Sequence, residues 1–172
     1  MTARSPLAER WSDLELVDAR EYAFVAQLDV RVDPATAASL GFPTVPNTAT
    51  TPGDRDVLWL GPDEWLVVGA PGLAGAIADE LGTSLAGLHH SVVDVSANRV
   101  VLELAGPTRH DLLATACPID VHPRSWGEGR CAQSLFGAAQ VLLHEREGAT
   151  RLFVRPSFAD YVVDLLLAAA RP

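Results

Sequence analysis

The sequence predicts an α+β protein with antiparallel sheets and covering helices. Several short segments alternate apolar and polar residues with a period of two, which is typical of strands. Turns rich in glycine and proline join some of these segments as hairpins. From Glu21 the order is strand, loop, strand, strand, helix, strand, and from Arg99 it is strand, helix, strand, strand, strand, helix. Two halves of similar make-up indicate an internal structural duplication, although no sequence repeat accompanies it.

The segment 99–118 contains the clearest strand-and-helix pattern of the chain. Arg99–Ala105 alternates well and carries β-branched residues, so it is predicted as a strand. Gly106-Pro107 should end this strand and start a helix, with proline at the first helical position. Cys117-Pro118 should end the helix, because the residue before a proline is pushed out of the helical region.

The remaining elements follow from the same patterns. The predicted strands are Glu21–Val32, Val57–Gly61, Trp65–Gly69, Ser91–Val95, Cys131–Phe136, Gln140–His144 and Arg151–Arg155. A polar hairpin turn is expected over Glu145–Ala149, and helices are expected over Leu73–Leu81 and Phe158–Ala169.

The last helix carries two apolar stripes. The broad one is suited to cover a sheet. Val163 and Leu167, at i and i+4, form a second stripe on another face. Exposure of these two side chains to water forgoes about 1.5–3 kcal/mol each. We therefore expect a second protein to cover Val163 and Leu167. The alternative is a terminal helix that leaves this apolar face in water.

A chain of 172 residues is expected to form a single domain over 1–172. Residues 1–20 are interpreted as an N-terminal arm that lies on a surface. Residues 33–56 form a long proline-rich loop, in which Pro34–Leu40 has the pattern of one or two helical turns closed by Gly41. Such a loop is either a solvated insertion or an arm ordered by a partner. Phe42, Val45 and Pro46 favour the second interpretation and are predicted to lie in a partner interface.

Composition excludes several functions. A net charge of −9 disfavours binding to nucleic acid and to anionic membranes. All 13 basic residues are arginine, so a Schiff-base lysine and a P-loop lysine are excluded. The two cysteines and the lack of an apolar segment after the first six residues predict a cytoplasmic protein without a signal peptide.

Two groups of polar residues are candidates for a metal or acid/base site. His89-His90 lies in a predicted loop, but adjacent side chains of an extended chain point to opposite faces, so one metal cannot easily take both. Asp63-Glu64 could supply paired carboxylates, but a solvated turn is the simpler interpretation. No metal site is predicted.

Two nucleophile arrangements were also weighed. Ser96, His110 and Asp94 would complete a triad, but no G-x-S-x-G turn is present to hold the serine. Cys117 and His122 could resemble a cysteine hydrolase, but a cysteine between a helix end and a proline is more often a core residue. No catalytic residue is predicted from either group.

Several motifs together are specific. They are Leu60–Leu66 (LGPDEWL), Val93–Ser96 (VDVS), Gly106-Pro107, Leu112-Leu113, Cys117–Asp120 (CPID), Phe153–Ala159 (FVRPSFA) and Pro43–Asn47 (PTVPN). In these motifs, from Phe42 to the C-terminus, the chain resembles the gamma subunit of heterotetrameric sarcosine oxidase. That family is related to the folate-binding domain of the glycine-cleavage aminomethyltransferase.

The resemblance implies an aminomethyltransferase-like fold of two interleaved α+β halves. It implies a place beside alpha, beta and delta subunits, with alpha contacted directly, in an enzyme that demethylates sarcosine to glycine and passes the one-carbon unit to tetrahydrofolate. FAD, FMN, NAD, tetrahydrofolate and zinc are then expected in the partner subunits and none in this chain. A free-standing folate-binding or aminomethyltransferase-like protein is the alternative.

Folate enzymes of this fold carry carboxylates just after a glycine that opens a strand of the second half. The matching segment here, Gly137–Val141, reads GAAQV and has no acid. Without a carboxylate there is no general base at this place. The resemblance therefore implies a non-catalytic subunit, and no catalytic, cofactor-binding or metal residue is predicted.

Overall fold

The computed structural model describes residues 4–171. In chain order its elements are α1 (Trp11–Glu15), β1 (Ala19–Glu21), β2 (Ala26–Val32), α2 (Pro34–Ser39), β3 (Ala49–Thr50), β4 (Asp56–Gly61), β5 (Glu64–Gly69), α3 (Ala74–Ser84), β6 (His90–Asp94), β7 (Val100–Leu104), α4 (Arg109–Ala114), β8 (Cys131–Phe136), β9 (Ala139–Arg146), β10 (Ala149–Val154) and α5 (Ala159–Ala169). A 3-10 turn, Pro156–Phe158, leads into α5.

The chain divides into two compact units. Unit 1 comprises Met1–Ala23 and Asn98–Pro172, and unit 2 comprises Phe24–Ala97. The predicted α+β class and the boundary between the two halves near Arg99 are thus confirmed. The first residues of the chain belong with the second half, so one unit interrupts the other along the sequence. Their organisation as one domain stays a prediction.

Unit 1 is built on a five-stranded sheet with the order β1-β7-β10-β9-β8. Every neighbouring pair is antiparallel, and Leu102, Leu152 and Leu143 lie side by side across the three central strands. Alternation along each strand places one row of apolar residues on a single face. The buried core there includes side chains from α4 and α5, among them Leu113 and Leu166.

Unit 2 is built on a second five-stranded antiparallel sheet with the order β3-β4-β5-β2-β6. Its core collects Leu28 and Val30 of β2, Trp65 of β5 and Ile77 of α3. Gly69 lies where α3 crosses the sheet, because a Cβ built there would meet Ile77 Cδ1 at 2.5 Å. The missing side chain at Gly69 therefore leaves room for the end of the Ile77 side chain against β5.

The predicted hairpin turn between β9 and β10 is confirmed. Arg146 pairs with Ala149, so the loop is Glu147-Gly148. Both residues have positive φ, 54° and 75°, as a type I′ turn requires.

The interpretation of residues 1–20 as a surface arm is wrong for residues 4–20, and residues 1–3 lie outside the described part of the chain. Leu7, Leu14 and Val17 are buried in the core of unit 1. Ala19–Glu21 forms β1 and pairs with β7. The apolar residues of this segment are few and irregularly spaced. Neither a helical nor a strand periodicity therefore predicts that they are buried. Their burial depends on contacts with residues far along the chain.

The prediction of one strand over Glu21–Val32 is wrong as well. The segment contains β1 and β2, which belong to different sheets. Phe24, which is exposed, has a φ of 57° and interrupts the extended backbone between them. Apolar and polar residues alternate through this break, so the periodicity of the sequence does not reveal the end of β1.

The loop 33–56 is more regular than predicted. The expected helical turn is present as α2, which Asp33 caps by accepting a hydrogen bond from the Ala35 N–H at 2.9 Å. The prediction of a loop over the whole of 33–56 is wrong, because Ala49–Thr50 forms β3 and pairs with β4. This strand is only two residues long, too short for a periodic signal.

The bounds of two helices differ from the predicted ones by a few residues. The helix predicted to start at Pro107 begins at Arg109, after a turn centred on Gly106. Helix α3 continues past Leu81 to Ser84. No helix within residues 4–171 has the length and hydropathy needed to cross a membrane.

Candidate functional site

A depression of about 290 Å³ lies on the sheet of unit 1. It is lined by arginine, glutamine, serine and apolar side chains: Arg99, Gln133, Ser134, Leu135, Gln140, Val141, Leu142, Phe153 and Arg155. No carboxylate or imidazole stands among these residues of the described chain. Amide and guanidinium groups do not accept a proton near neutral pH, so the depression has no general base.

The segment Gly137–Val141, which matches the carboxylate position of folate enzymes of this fold, begins in the turn between β8 and β9. Gly137 has a φ of +58°, and the Ala138 N–H donates to the Tyr161 hydroxyl at 3.0 Å. Ala139 is buried and Gln140 faces the 290 Å³ depression. A glutamine amide there cannot serve as a base, so the position where folate enzymes of this fold carry a carboxylate has no general base in this chain.

A row of charged side chains crosses β1, β7 and β10. Glu103 accepts hydrogen bonds from Arg20 Nε at 2.8 Å and from Arg151 Nε at 2.9 Å. Burial favours the neutral acid, but the bonds from Arg151 and Arg20 outweigh it and lower the pKa of Glu103. Arg151 also lies over the ring of Tyr22, 4.7 Å from its centroid. Glu103 is thus a fixed anion that neutralises two cations.

A second buried carboxylate, Glu145, joins α4 to the hairpin of β9 and β10. It accepts a hydrogen bond from Arg109 Nη2 at 2.7 Å and another from the hydroxyl of Thr150. The Nδ1–H of His110 donates to the Val121 carbonyl at 2.7 Å, and its Nε2 lies 3.9 Å from Glu145. These bonds hold α4 and the loop at Val121 to the sheet. The role of Glu145 and His110 in them is structural.

The residues weighed as a triad take other roles. In unit 2, the hydroxyl of Ser96 lies 2.5 Å from Asp94, and the Ser96 N–H donates to the same carboxylate at 2.9 Å. Both bonds lower the pKa of Asp94, which makes it a poorer base. Ser96 also accepts a bond from the Gln27 N–H at 3.0 Å and so closes the end of β6. His110 belongs to unit 1, in the network of Glu145.

Cys117 and His122 are likewise engaged separately. Cys117 is buried, with its Sγ 3.5 Å from the Ser134 hydroxyl. His122 uses Nδ1 to accept the backbone N–H of Arg124 at 3.1 Å. These contacts do not activate a thiol, since no base faces the sulfur in them.

The adjacent histidines do not converge. His90 donates through Nδ1 to the Leu88 carbonyl at 2.9 Å, while His89 is exposed. Across residues 4–171, no group of three or more histidine, cysteine or acidic side chains is placed to hold a metal ion.

Asp63-Glu64 lies at the turn between β4 and β5. Glu64 pairs with Arg31 at 2.7 Å, while Asp63 is exposed. Burial and the neighbouring Asp29 raise the pKa of Glu64, and Arg31 opposes both. The interacting carboxylate is therefore Asp29 on the adjacent strand β2, and not the sequence neighbour Asp63.

The predicted interface residues divide into two groups. Val45 is 60% exposed, and Pro46 is exposed too, so both remain available to a partner. Phe42 and Val163 are buried within the chain, and Leu167 is partly buried against the core of unit 1. Phe42 stacks against Trp65 with ring centroids 5.9 Å apart. The expectation that Phe42 and Val163 face a partner is wrong.

The N-terminal segment explains the burial of Val163. Leu7 and Leu14 share one core cluster with Val163. Arg10 pairs with Asp160 at 3.2 Å and with Asp164 at 2.7 Å, so it ties this segment to the polar face of α5. Of the second apolar stripe of α5, Val163 is covered by the chain itself, and Leu167 is covered in part.

Sequence reasoning missed the exposed residues around β1. Trp11 is 53% exposed, and its Nε1–H donates to Glu21 at 2.9 Å. Two depressions of about 770 and 220 Å³ share Glu15, Ala19 and Arg20 in their linings. The signal in the sequence was a lone tryptophan among charged residues. The pairing of β1 with β7 places Glu21, the hydrogen-bond partner of Trp11, on the sheet of unit 1.

Comparison with known proteins assigns the family. The model of the sarcosine oxidase, gamma subunit family matches residues 18–171. A sarcosine oxidase subunit gamma from Arthrobacter sp. is 38% identical over 161 residues, covering 87% of this chain and 78% of the relative. The subunit gamma from Corynebacterium sp. strain U-96 is 34% identical, with 96% and 89% covered.

Solved structures agree in fold. A chain of the heterotetrameric sarcosine oxidase from Corynebacterium sp. U-96, in complex with pyrrole 2-carboxylate, matches with a TM-score of 0.86 and 34% identity over 98% of this chain and 94% of that one. Aminomethyltransferase T of the glycine cleavage system from Bartonella henselae matches with a TM-score of 0.68 at 14% identity, over 91% of this chain and 48% of that one. The second likeness confirms the predicted aminomethyltransferase-like fold. The chain therefore belongs to the sarcosine oxidase gamma subunit family.

Proposed function

We propose that this chain is the gamma subunit of a heterotetrameric sarcosine oxidase, and that it contributes contact surface and no reacting group. The observation that carries the proposal is the match to the Corynebacterium heterotetramer, which extends over 98% of this chain and 94% of that chain. In this role the complex is an oxidoreductase that converts sarcosine to glycine and transfers the one-carbon unit to tetrahydrofolate.

Alpha, beta and delta subunits are the partners in this proposal, with alpha in direct contact. FAD, FMN, NAD, tetrahydrofolate and zinc are assigned to those subunits, and the complex to the cytoplasm. The state of the buried acids supports a non-reacting role. Glu103 and Glu145 both accept bonds from arginine side chains, so neither is available as a base.

Reconstitution tests the assignment. The chain is co-expressed with the alpha, beta and delta subunits of a heterotetrameric sarcosine oxidase, and the complex is isolated through a tag on alpha. We expect this chain to elute with the others in size-exclusion chromatography, with sarcosine-dependent peroxide formation. A chain that elutes alone, while the other three assemble and turn over normally, contradicts the proposal.

Two measurements address the non-reacting role. Ser134→Ala and Gln140→Ala change polar groups of the 290 Å³ depression. In the assembled complex we expect the kcat for sarcosine to stay within about twofold of wild type, because neither group is a general acid or base. Calorimetric titration of the isolated chain with tetrahydrofolate should give no saturable heat. Micromolar binding would favour a free-standing folate-binding protein instead.

A further inference from the structure

The 290 Å³ depression has an apolar floor on the face of the unit 1 sheet that is turned away from its helices. Leu143, Leu152 and Val154 share a core with α4 and α5. Because side chains alternate along a strand, Leu142 and Phe153 point to the other face. These two residues are paired in the ladder, line the depression and are only 3% and 1% exposed.

Two arginines stand at one end of this floor. The pairing of β10 with β7 ends at Val154 and Val100, and the next pair of the same register places Arg155 opposite Arg99. Like charges directly opposite each other on neighbouring strands are unfavourable, and an anion between them relieves the repulsion. Within residues 4–171, the lining of the depression contains both arginines and no carboxylate, although the chain carries a net charge of −9.

Arg155 keeps its charge and most of its donors available. Its side chain is exposed, and its Nη1–H donates to the amide oxygen of Asn98 at 3.2 Å. An amide is neutral, so this bond orients the guanidinium without neutralising it. In the part of the chain that the structure describes, no carboxylate pairs with Arg155. The remaining N–H groups of its planar fork match the two oxygens of a carboxylate.

The size and rim of the depression favour a side chain of another protein over a small molecule. Cavities that hold small molecules have about 300–1,000 Å³ and enclose most of the ligand. This depression, at 290 Å³, lies at the lower limit, and its rim is open: Leu135 is 43% exposed, and Gln133 and Gln140 are exposed as well. An apolar centre with a polar rim and arginine is typical of interfaces between proteins.

We propose that a partner subunit inserts an aspartate or glutamate beside Arg99 and Arg155, with an adjoining apolar side chain on Phe153 and Leu142. This proposal rests on the proposed function, because the partner belongs to the same complex, and it adds the place and the chemistry of the contact. The charge-assisted bond selects the segment, and the apolar floor supplies buried area. The arginines give an acidic segment a local attraction on a chain whose net charge of −9 repels it elsewhere.

Site-specific cross-linking identifies the occupant. Photoreactive benzoylphenylalanine replaces Leu135 at the rim, and the complex with alpha, beta and delta subunits is irradiated. We expect mass spectrometry to find a cross-link to a partner-subunit peptide that contains an aspartate or glutamate. The same probe at Leu16, which is 76% exposed and outside the depression, is the control and should not label that peptide. A cross-link from position 135 to a second copy of this chain, or to no partner subunit, overturns the proposal.

Substitutions test the ion pair. Arg155→Glu should raise the dissociation constant for the partner subunits about thirtyfold, as at a hot spot. Arg155→Lys should recover only part of this loss, because an ammonium group cannot form two parallel bonds to a carboxylate. Arg124→Glu, the same charge change at an exposed arginine outside the depression, is the matched control and should have less than about a fivefold effect. Equal effects of Arg155→Glu and Arg124→Glu contradict the proposal.

A charge exchange and a ligand titration complete the test. Replacement of the acid in the cross-linked peptide by arginine should restore the assembly of Arg155→Glu. If the wild-type complex does not form, the proposed function fails and this inference with it. If the complex forms and Arg155→Glu assembles as well as wild type, only this inference fails. Saturable micromolar binding of benzoate to the free chain, abolished by Arg155→Glu, would assign the depression to a small carboxylate and also overturn the proposal.

Discussion

Gly137 shows how a single residue fixes the turn between β8 and β9. Its φ of +58° lies in the left-handed region, and a Cβ built there would meet Tyr161 Oη at 2.5 Å and Leu165 Cδ1 at 2.6 Å. The hydroxyl of Tyr161 is bound to the Ala138 N–H, so it is not free to move aside. Glycine at position 137 therefore allows the left-handed backbone of this turn and leaves room for the ends of the Tyr161 and Leu165 side chains of α5.

Gly137→Ala should therefore lower the free energy of unfolding by about 2–4 kcal/mol, the sum of the left-handed backbone and the steric overlap. Gly148→Ala is the control, because Gly148 has a φ of +75° but no atom within 4 Å of its Cβ position. It should lose only about 1–2 kcal/mol. Urea denaturation of the full chain measures both, and equal losses would exclude the steric contribution.

Glu103→Gln should destabilise the chain by about 3 kcal/mol at pH 7, because it leaves the buried cation of Arg151 without its anion. The pKa of Glu103 is lowered in the folded chain, so its ionised form stabilises the fold above the ordinary glutamate pKa of about 4.3. This contribution is lost as the pH falls through the lowered folded pKa.

Urea titrations at several pH values between about 7 and 3 check the sign. The difference in unfolding free energy between wild type and Glu103→Gln should be complete above about pH 5 and shrink on acidification. A difference that grows towards low pH would contradict the assignment of Glu103 as a buried anion. Glu9→Gln, an exposed acid, serves as the control.

At the level of elements, the N-terminal segment completes the core of unit 1. α1 is only five residues long and has no side-chain cap. Short helices of this kind are marginal in isolation, so tertiary contacts must hold it. Arg10 supplies polar contacts with α5, and Leu14 supplies the buried apolar contact.

Leu14→Ala should cost about 2–5 kcal/mol of unfolding free energy, because a fully buried leucine leaves a cavity. Leu16→Ala is a control of the same chemistry two residues away, at a side chain that is 76% exposed, and should change stability by less than about 0.5 kcal/mol. Thermal or urea denaturation compares them. Similar values for the two variants would restore the surface-arm interpretation.

At the scale of the whole molecule, the net charge of −9 and the exposed apolar residues bear on assembly. Like-charged chains of this kind repel one another, whereas a basic partner is attracted. The exposed residues Val45 and Pro46 in unit 2 remain predicted interface residues, while Phe42 beside them belongs to the core.

Val45→Ser should leave the unfolding free energy of the free chain within about 0.5 kcal/mol of wild type, because the side chain is already in water. If Val45 lies in the interface, the variant should be recovered with the tagged alpha subunit at a visibly lower yield. Phe42→Ala should instead lose about 3–5 kcal/mol in the free chain. An unchanged yield for Val45→Ser would remove this loop from the interface.

Much of the fold could be predicted because its signals are local. β5, β8 and the turn at Glu147-Gly148 follow from alternation and turn chemistry within a few residues. The 290 Å³ depression could not be predicted, because its lining includes Arg99, which lies beside β7 and reaches the other strands only through the pairing of β7 with the distant β10. The Glu103 network was missed for the same reason, since Arg20 and Glu103 are 83 residues apart.

The sequence alone determined the α+β class, the two halves, most strands and the lack of an acid at Gly137–Val141. Tertiary structure alone decided that residues 4–23 complete unit 1, that Val163 and Phe42 are buried by their own chain, and that Trp11 lies half exposed beside β1. The physical reason is that periodicity reports which side of an element is apolar, whereas burial depends on which distant segment covers that side.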